Sequence, residues 1–248
     1  RFQSGGFHTL MAMLTATGWM AAGVFCREYM VHVHKRNRLY FFWMLTLGAT
    51  MGVFLSADFF TAFLFFEVMS FTSFVLVIQT EEYSALKAGD TYLAVAVIGG
   101  LAALSGLFLL YAQLGTLEFA EMGAAAASAD RRVLWVGAVL VIIGFGAKAG
   151  AFPLHIWLPT AHPAAPAPAS AVLSGVITKT GIYGVLVLST TIFLHNGTWG
   201  LVLAAIGAIT MVLGAGLAVC SVDLKRTLAC SSISQIGFIL VGTAMQCL

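Results

Sequence analysis

Long apolar runs, separated by short polar segments, dominate the 248-residue chain. A helix needs about 20 apolar residues to cross the hydrocarbon core of a bilayer, and eight runs have about that length. The predicted spans are roughly 7–26, 39–57, 59–79, 90–112, 133–162, 168–194, 199–221 and 228–247. Prolines interrupt the fifth run. The pattern predicts an all-α integral membrane protein, a single domain over residues 1–248, with eight transmembrane helices of which one is broken.

Composition supports a bilayer environment. Hydrophobic residues make up 60% of the chain, charged residues 9%, and the mean hydropathy is +0.97. A water-soluble domain carries about 25% charged residues because its surface must be hydrated. The net charge of +2 gives no indication of a nucleic-acid partner, which would require a concentrated positive surface. We therefore expect the lipid bilayer to be the main solvent of this chain.

The distribution of Lys and Arg predicts an orientation. One side of the predicted topology receives seven cations: Arg27, Lys35, Arg36, Arg38, Lys87, Lys225 and Arg226. The other side receives Arg1, Arg131 and Arg132. Cytoplasmic loops are enriched in Lys and Arg. We therefore expect loops 27–38, 80–89 and 222–227 to be cytoplasmic and the residue-1 end to lie outside the inner or plasma membrane of the cell.

The sequence shows no signature of a catalytic centre, a metal site or a cofactor site. The four cysteines, Cys26, Cys220, Cys230 and Cys247, form no C-x-x-C pair, so we interpret them as small apolar residues. No phosphate-binding glycine loop and no nucleophile–base motif is recognisable. The polar linker 113–131 is interpreted as a surface segment without chemistry. Both chain ends are expected to be cut from a longer protein.

Three charged residues lie near the middle of predicted spans: Glu67, Lys148 and Lys179. A charge at the bilayer centre costs about 2.5–3.5 kcal/mol on insertion scales, so these side chains should face the bundle interior and each other. A buried Glu–Lys pair can be balanced so that a small change moves a proton, as a proton relay requires. The alternative is a buried ion pair that only fixes helix register. A second lysine beside a broken helix favours the relay.

All five prolines fall within one segment: Pro153, Pro159, Pro163, Pro166 and Pro168. A helix broken in lipid leaves backbone groups unpaired, which is tolerated where they line a cavity or are packed in protein. Discontinuous helices often form ion sites in transporters. His155 and His162 flank the Pro153 break; they either carry protons or hydrogen-bond the freed carbonyls.

The segment Lys148 to Gly184, KAGAFPLHIWLPTAHPAAPAPASAVLSGVITKTGIYG, resembles the signature of the antiporter-like proton-channel subunits. Asp223 to Phe238 resembles the second characteristic stretch of that family, and Phe65 to Ser70 its glutamate helix. The family occurs in respiratory complex I, in membrane-bound hydrogenase and formate hydrogenlyase complexes, and in multi-subunit cation/proton antiporters. The form of the proline-rich stretch is closer to the hydrogenase-linked and antiporter branches.

The resemblance implies a fold of about fourteen helices with two inverted repeats. This chain would supply the third to tenth helices, with the first repeat at about 39–194 and the start of the second at 199–248. Glu67, Lys148 and Lys179 would be the relay residues, without a cofactor, while the terminal Lys or Glu of the path lies outside this chain. Ala164, Val187 and Gln235 depart from family positions that often carry ionisable residues.

The resemblance implies a proton-translocating membrane subunit of a complex I-like respiratory or hydrogenase complex. Other membrane subunits would be its partners, and an oxidoreductase complex would supply the energy, because the chain itself has no catalytic centre. One alternative is a subunit of a multi-subunit sodium/proton antiporter, with sodium as the second ion. Another is a structural or quinone-site membrane subunit.

Overall fold

The computed structural model describes residues 1–32 and 35–248, and the described residues are almost entirely helical. Eleven α-helices are present in this part of the chain: α1 (Gly6–Tyr29), α2 (Arg36–Leu55), α3 (Phe59–Val77), α4 (Tyr83–Leu114), α5 (Phe119–Ala126), α6 (Arg131–Ala149), α7 (Leu158–Ala164), α8 (Ala167–Val172), α9 (Thr178–Ile192), α10 (Gly197–Val219) and α11 (Leu224–Cys247). Eight spans are long and apolar enough to cross a membrane, with α6–α7 and α8–α9 each counting as one. The predicted all-α architecture with eight spans is confirmed.

Two boundaries differ from the sequence prediction. Helix α4 begins at Tyr83 rather than near residue 90 and has 32 residues. The first two turns of α4 contain polar residues. They remain helical because two alanines in the same turns, Ala85 and Ala88, are buried in the bundle. The linker 113–131 contains the short helix α5, which buries Met122. An amphipathic helix of this length was not detectable in a run of alanines.

The helix ends meet in two groups, which define two faces of the bundle. At the residue-1 face, Phe2 pairs with Ser56, and Asp58 pairs with Glu118. At the opposite face, Lys35 donates to Glu81 at 2.6 Å and Arg38 also contacts that carboxylate. Hydrogen bonds from Lys35 and Arg38 hold the pKa of Glu81 below its ordinary value. His34, part of the predicted cytoplasmic loop, lies outside the described residues; which face is cytoplasmic stays a prediction.

The proline segment breaks its two spans at several points. Helix α6 ends at Ala149, and Gly150 follows in the left-handed region with φ of 82°. A 3₁₀ turn at Leu154–Trp157 then leads into α7. Pro166 precedes α8, which continues through a π-helical turn at Leu173–Ile177 into α9. The predicted break after Lys148 is confirmed, and the π-helical turn before Lys179 is an additional irregularity.

Close packing brings the helices of the site together. Helices α4 and α6 approach at Gly106 and Gly144, where an added Cβ would lie 2.5 Å from a backbone carbonyl of the other helix. These are glycine contacts of the kind that small residues permit in membranes. Helix α4 therefore packs against both α3, which carries Glu67, and α6, which carries Lys148. The helices α3 and α6 also touch through Phe66 and Phe145, whose ring centroids lie 4.6 Å apart.

Candidate functional site

Glu67 occupies the centre of α3, as its ninth residue of 19. Its Oε1 atom is buried and has no hydrogen-bond partner among the described residues. The carboxylate faces Gly100 of α4, where a built Cβ would lie 2.5 Å from Oε1 and 3.0 Å from Oε2. A buried unpaired carboxylate oxygen is costly, so this group is held in a state that favours gaining a partner or a proton.

Lys148 is the penultimate residue of α6 and is only 4% exposed. Its Nζ donates a hydrogen bond to the Tyr92 hydroxyl of α4 and lies 4.4 Å from the ring centroid. The Tyr92 hydroxyl is 2.6 Å from Ser73 Oγ, which in turn donates to the Met69 carbonyl at 2.5 Å. The lysine amine therefore ends a chain of hydrogen bonds that leads back to α3.

Glu67 and Lys148 lie on neighbouring helices but do not form an ion pair. Within residues 1–32 and 35–248, the ion pairs lie at the helix ends and involve Asp58, Glu81 and Glu118 as acids. On α4, Gly100 faces the Glu67 carboxylate, and Gly99 faces Ala147 at 3.1 Å from its built Cβ. Tyr92, rather than Glu67, is therefore the hydrogen-bond partner of Lys148.

The break after Lys148 is fixed from two directions. Trp157 Nε1 donates to the Ala147 carbonyl at 2.8 Å, and its ring meets Tyr92 edge-on at 4.9 Å. The backbone N–H of Phe152 donates to Thr210 Oγ1 of α10 at 3.1 Å. Helix α10 thereby stabilises one of the backbone groups that the Pro153 break releases.

Lys179 follows directly after the π-helical turn and is half-buried. Its Nζ donates to the Ser174 carbonyl at 2.6 Å. Single π-helical turns displace carbonyls from the regular ladder and are frequent at functional sites. Ser174 Oγ also lies 2.5 Å from Ser232 Oγ of α11, so the surroundings of Lys179 reach the last helix of the chain.

The two histidines at the breaks have different surroundings. His162 is 2% exposed; its Nδ1 lies 2.7 Å from Ser170 Oγ, and its Nε2 is buried without a partner among the described residues. His155 is half-buried, stacks on Phe152, and has an unpartnered Nδ1. Neither ring hydrogen-bonds a freed carbonyl in the described part of the chain.

The freed carbonyls instead bind Lys225. Its Nζ, from the first turn of α11, donates to the Ala165 carbonyl at 2.9 Å and the Pro163 carbonyl at 3.3 Å. The sequence placed Lys225 among the loop cations of the opposite face. In the structure it also closes the gap between α7 and α8, beside a polar crevice of about 350 Å³ that includes Thr160 and Glu82.

The sequence analysis missed four residues that contact the site: Tyr92, Ser73, Gly100 and Lys225. The predicted span began near residue 90, which put Tyr92 at its end. In the structure the helix begins at Tyr83, and Tyr92 is the tenth residue of α4. Its polar neighbours Asp90 and Thr91 were the available signal. Within the described residues, no group of three His, Cys, Asp or Glu side chains is arranged to hold a metal ion.

Comparison with known proteins identifies a family to which most of the chain is similar. Residues 56–248 match the family described as NADH:quinone oxidoreductase/Mrp antiporter, transmembrane. The chain is 37% identical over 210 residues to hydrogenase-4 component B of Escherichia coli, covering 83% of this chain and 31% of that protein. It is 31% identical over 242 residues to one of the Na(+)/H(+) antiporter subunits of Alkalihalophilus pseudofirmus, covering 95% of this chain and 48% of that protein.

Solved structures agree with these sequence matches. One chain of the Mrp complex from a Dietzia species superposes with a TM-score of 0.89 and 27% identity, covering 98% of this chain and 46% of that one. A chain of the membrane-bound sulfane sulfur reductase, an archaeal respiratory membrane complex, superposes with a TM-score of 0.90 and 26% identity. The match covers 98% of this chain and 50% of that one. This chain therefore spans at most about half the length of the relatives it matches.

Proposed function

The chain belongs to the NADH:quinone oxidoreductase/Mrp antiporter transmembrane family, and from this premise we propose that it translocates protons as a membrane subunit of a complex I-like respiratory or hydrogenase complex. The observation that carries the proposal is the arrangement of three ionisable side chains inside the spans. Within the described residues, one carboxylate oxygen of Glu67 has no hydrogen-bond partner, Lys148 binds Tyr92, and Lys179 binds a carbonyl of the π-helical turn.

Lys148 alternates between two partners. In the described arrangement its amine binds Tyr92, while the Glu67 carboxylate faces Gly100 of α4. In the second arrangement the amine moves to Glu67 and forms the pair that the sequence predicts. An opposite charge stabilises a buried ammonium group and a buried carboxylate together. The switch between the two arrangements therefore changes the local charge beside the Pro153 break.

Lys179 responds to that change of charge. When Lys148 is unpaired, its positive charge disfavours a second buried ammonium group, and Lys179 releases its proton; when Lys148 pairs with Glu67, Lys179 can take up a proton again. Protons enter from the polar crevice at the opposite face, whose lining includes Pro163, and pass through the neighbouring His162, whose buried Nε2 has no hydrogen-bond partner among the described residues. Energy arrives from partner subunits as a shift of the Lys148 equilibrium.

The Lys179→Met variant tests this proposal. In the complete complex, reconstituted into vesicles and supplied with its electron donor, we expect the variant to assemble and to lose proton translocation. Lys87→Met serves as the matched control because Lys87 is an exposed lysine in α4, and translocation by the control should be unchanged. Normal translocation by Lys179→Met would overturn the relay.

A second candidate function is sodium/proton exchange, favoured by the 31% identity over 95% of the chain to an antiporter subunit. Proton transfer through the same three residues would then be driven by an ion gradient rather than by a redox reaction. Transport that requires sodium and proceeds without an electron donor would favour this candidate. A purely structural or quinone-site role would be favoured if the Glu67→Gln, Lys148→Met double variant translocated protons normally.

A further inference from the structure

A cavity of about 400 Å³ leads from Lys179 toward the residue-1 face. Its walls come from α1 and from the segment that includes α8 and the π-helical turn, and its polar lining residues are Thr15 and Lys179. Met11 and Phe54 line the same cavity. His8 and Tyr183 lie behind Phe54 rather than in the cavity wall: the Phe54 carbonyl is 2.9 Å from His8 Nδ1, and the Phe54 ring meets Tyr183.

His8 and Tyr183 form a hydrogen-bonded pair behind Phe54. The Tyr183 hydroxyl lies 3.0 Å from His8 Nδ1. Tyr183 is 3% exposed and stands four residues after Lys179 in α9, a spacing that places two side chains on the same face of a helix. The pair therefore continues the line that begins at Lys179.

Aromatic rings surround this pair. The Phe54 ring meets Tyr183 edge-on at 5.3 Å, Phe7 stacks on Tyr183 at 6.1 Å, and Phe119 of α5 stacks on His8 at 6.4 Å. Such a layer resists hydrated cations, because an ion would have to lose its water among apolar rings. A proton can cross it by exchange along a hydrogen bond.

His8 Nδ1 has two partners with opposite requirements. The Phe54 carbonyl, 2.9 Å away, accepts a hydrogen bond from a protonated Nδ1, whereas the Tyr183 hydroxyl can donate one to it. Nε2 has no hydrogen bond among the described residues and is not enclosed.

Acidic groups stand near this ring at the residue-1 face. Glu118 directly precedes Phe119, whose ring stacks on His8, and pairs with Asp58 through the backbone. The Glu118 carboxylate also pairs with the Arg1 guanidinium at 2.5 Å. These carboxylates can exchange protons between the exposed side of His8 and the surface.

We propose that His8 and Tyr183 form a proton gate between Lys179 and the residue-1 face, giving this half of the fold its own connection to that side. The inference rests on the proposed function of Lys179. A proton leaves the Lys179 ammonium group through water in the cavity and reaches the Tyr183 oxygen, while the Tyr183 hydroxyl proton moves to His8 Nδ1. His8 releases a proton from Nε2 to the surface, so one proton crosses; Tyr183 ends with the proton received from the cavity, and His8 ends as the Nδ1–H tautomer.

The test uses the complete complex in vesicles and measures proton translocation during turnover. We expect His8→Ala and Tyr183→Phe each to lower the rate roughly tenfold or more, as loss of a proton-transferring group does. The double variant should be no slower than the slower single variant, because both residues serve one path. Matched controls are His195→Ala and Tyr111→Phe, an exposed histidine and an exposed tyrosine, which should translocate at the normal rate.

Added imidazole separates a relay from a structural role. Free imidazole should restore part of the rate in His8→Ala but not in Tyr183→Phe. If His8→Ala does not assemble, His8→Gln keeps a donor for the Phe54 carbonyl and should still be slow. Normal rates in His8→Gln and Tyr183→Phe, with Lys179→Met inactive, would overturn the gate and leave the proposed function standing. An active Lys179→Met variant would overturn the proposed function itself.

Discussion

A methyl group at position 100 would act on a single functional group, the Glu67 carboxylate. In Gly100→Ala the new Cβ would lie 2.5 Å from Glu67 Oε1, so the carboxylate must move. The clash is with the end of a flexible side chain, and alanine favours a helix over glycine by about 1 kcal/mol. We expect the variant to fold and assemble with altered or lost proton translocation, measured in vesicles.

Gly48→Ala is the control for that substitution. An added Cβ there meets nothing within 4 Å, so translocation should stay normal while the helix gains the same propensity. If Gly100→Ala also translocates normally, the position of the Glu67 carboxylate does not matter for the function.

Replacing Tyr92 with Phe removes the oxygen that accepts from Lys148 and contacts Ser73. A hydrogen bond to a charged group contributes about 1.5–3 kcal/mol, and we expect a loss of that size in the free energy of unfolding. The amine should then favour Glu67, which would slow the switch. Thermal unfolding and proton translocation check both effects. Tyr111→Phe, at an exposed ring, should change neither; a Tyr92→Phe variant as stable and active as the parent would contradict the role of Tyr92.

At the residue scale, sequence reasoning could find the charges but not their partners. Glu67, Lys148 and Lys179 stand out because charged residues are rare inside apolar runs. The polar neighbours Asp90 and Thr91 were the available signal for Tyr92. Gly100 was not detectable, since its role depends on how α4 packs against α3. The direct Glu67–Lys148 contact was expected from the chemistry of the two side chains alone, whereas in the structure Lys148 binds Tyr92 instead.

At the scale of elements, the proline break depends on a lysine from another helix. In Lys225→Met the carbonyls of Pro163 and Ala165 lose a charged donor, and we expect the variant to lose about 1.5–3 kcal/mol of stability. Arg226→Met is the neighbouring control: this exposed side chain has no hydrogen bond within the described part of the chain, and its loss should stay within about 0.5 kcal/mol. Equal melting temperatures for the two variants would contradict this role of Lys225.

The elements themselves were predictable to different degrees. Apolar run length gave the eight spans, because the bilayer thickness fixes that length. The π-helical turn at Leu173–Ile177 and the helix α5 were not predicted. A π-helical turn has no composition signal, and α5 is formed by packing of Met122 rather than by an apolar run. The two predicted repeats stay a prediction, although the α2–α3 and α10–α11 hairpins start from opposite faces, as inverted repeats require.

At the scale of the whole molecule, the orientation is open to a direct test. Arg226→Cys lies at the opposite face and Arg131→Cys at the residue-1 face, and both positions are exposed. The exposed Cys220 must first be changed to Ser, whereas Cys26, Cys230 and Cys247 are buried. We expect a membrane-impermeant maleimide to label Arg226→Cys in inverted vesicles and Arg131→Cys in intact cells, because seven cations lie on the Arg226 side. The reverse labelling pattern would contradict the predicted topology.

The contact of Trp157 with the relay gives the molecule a built-in optical reporter. Its indole donates to the Ala147 carbonyl, next to Lys148, and its ring touches Tyr92, which holds the Lys148 amine. Indole fluorescence responds to nearby charge and to changes in its hydrogen bond. With the other four tryptophans replaced by Phe, the emission of Trp157 would follow the movement of Lys148 during turnover, without an attached dye.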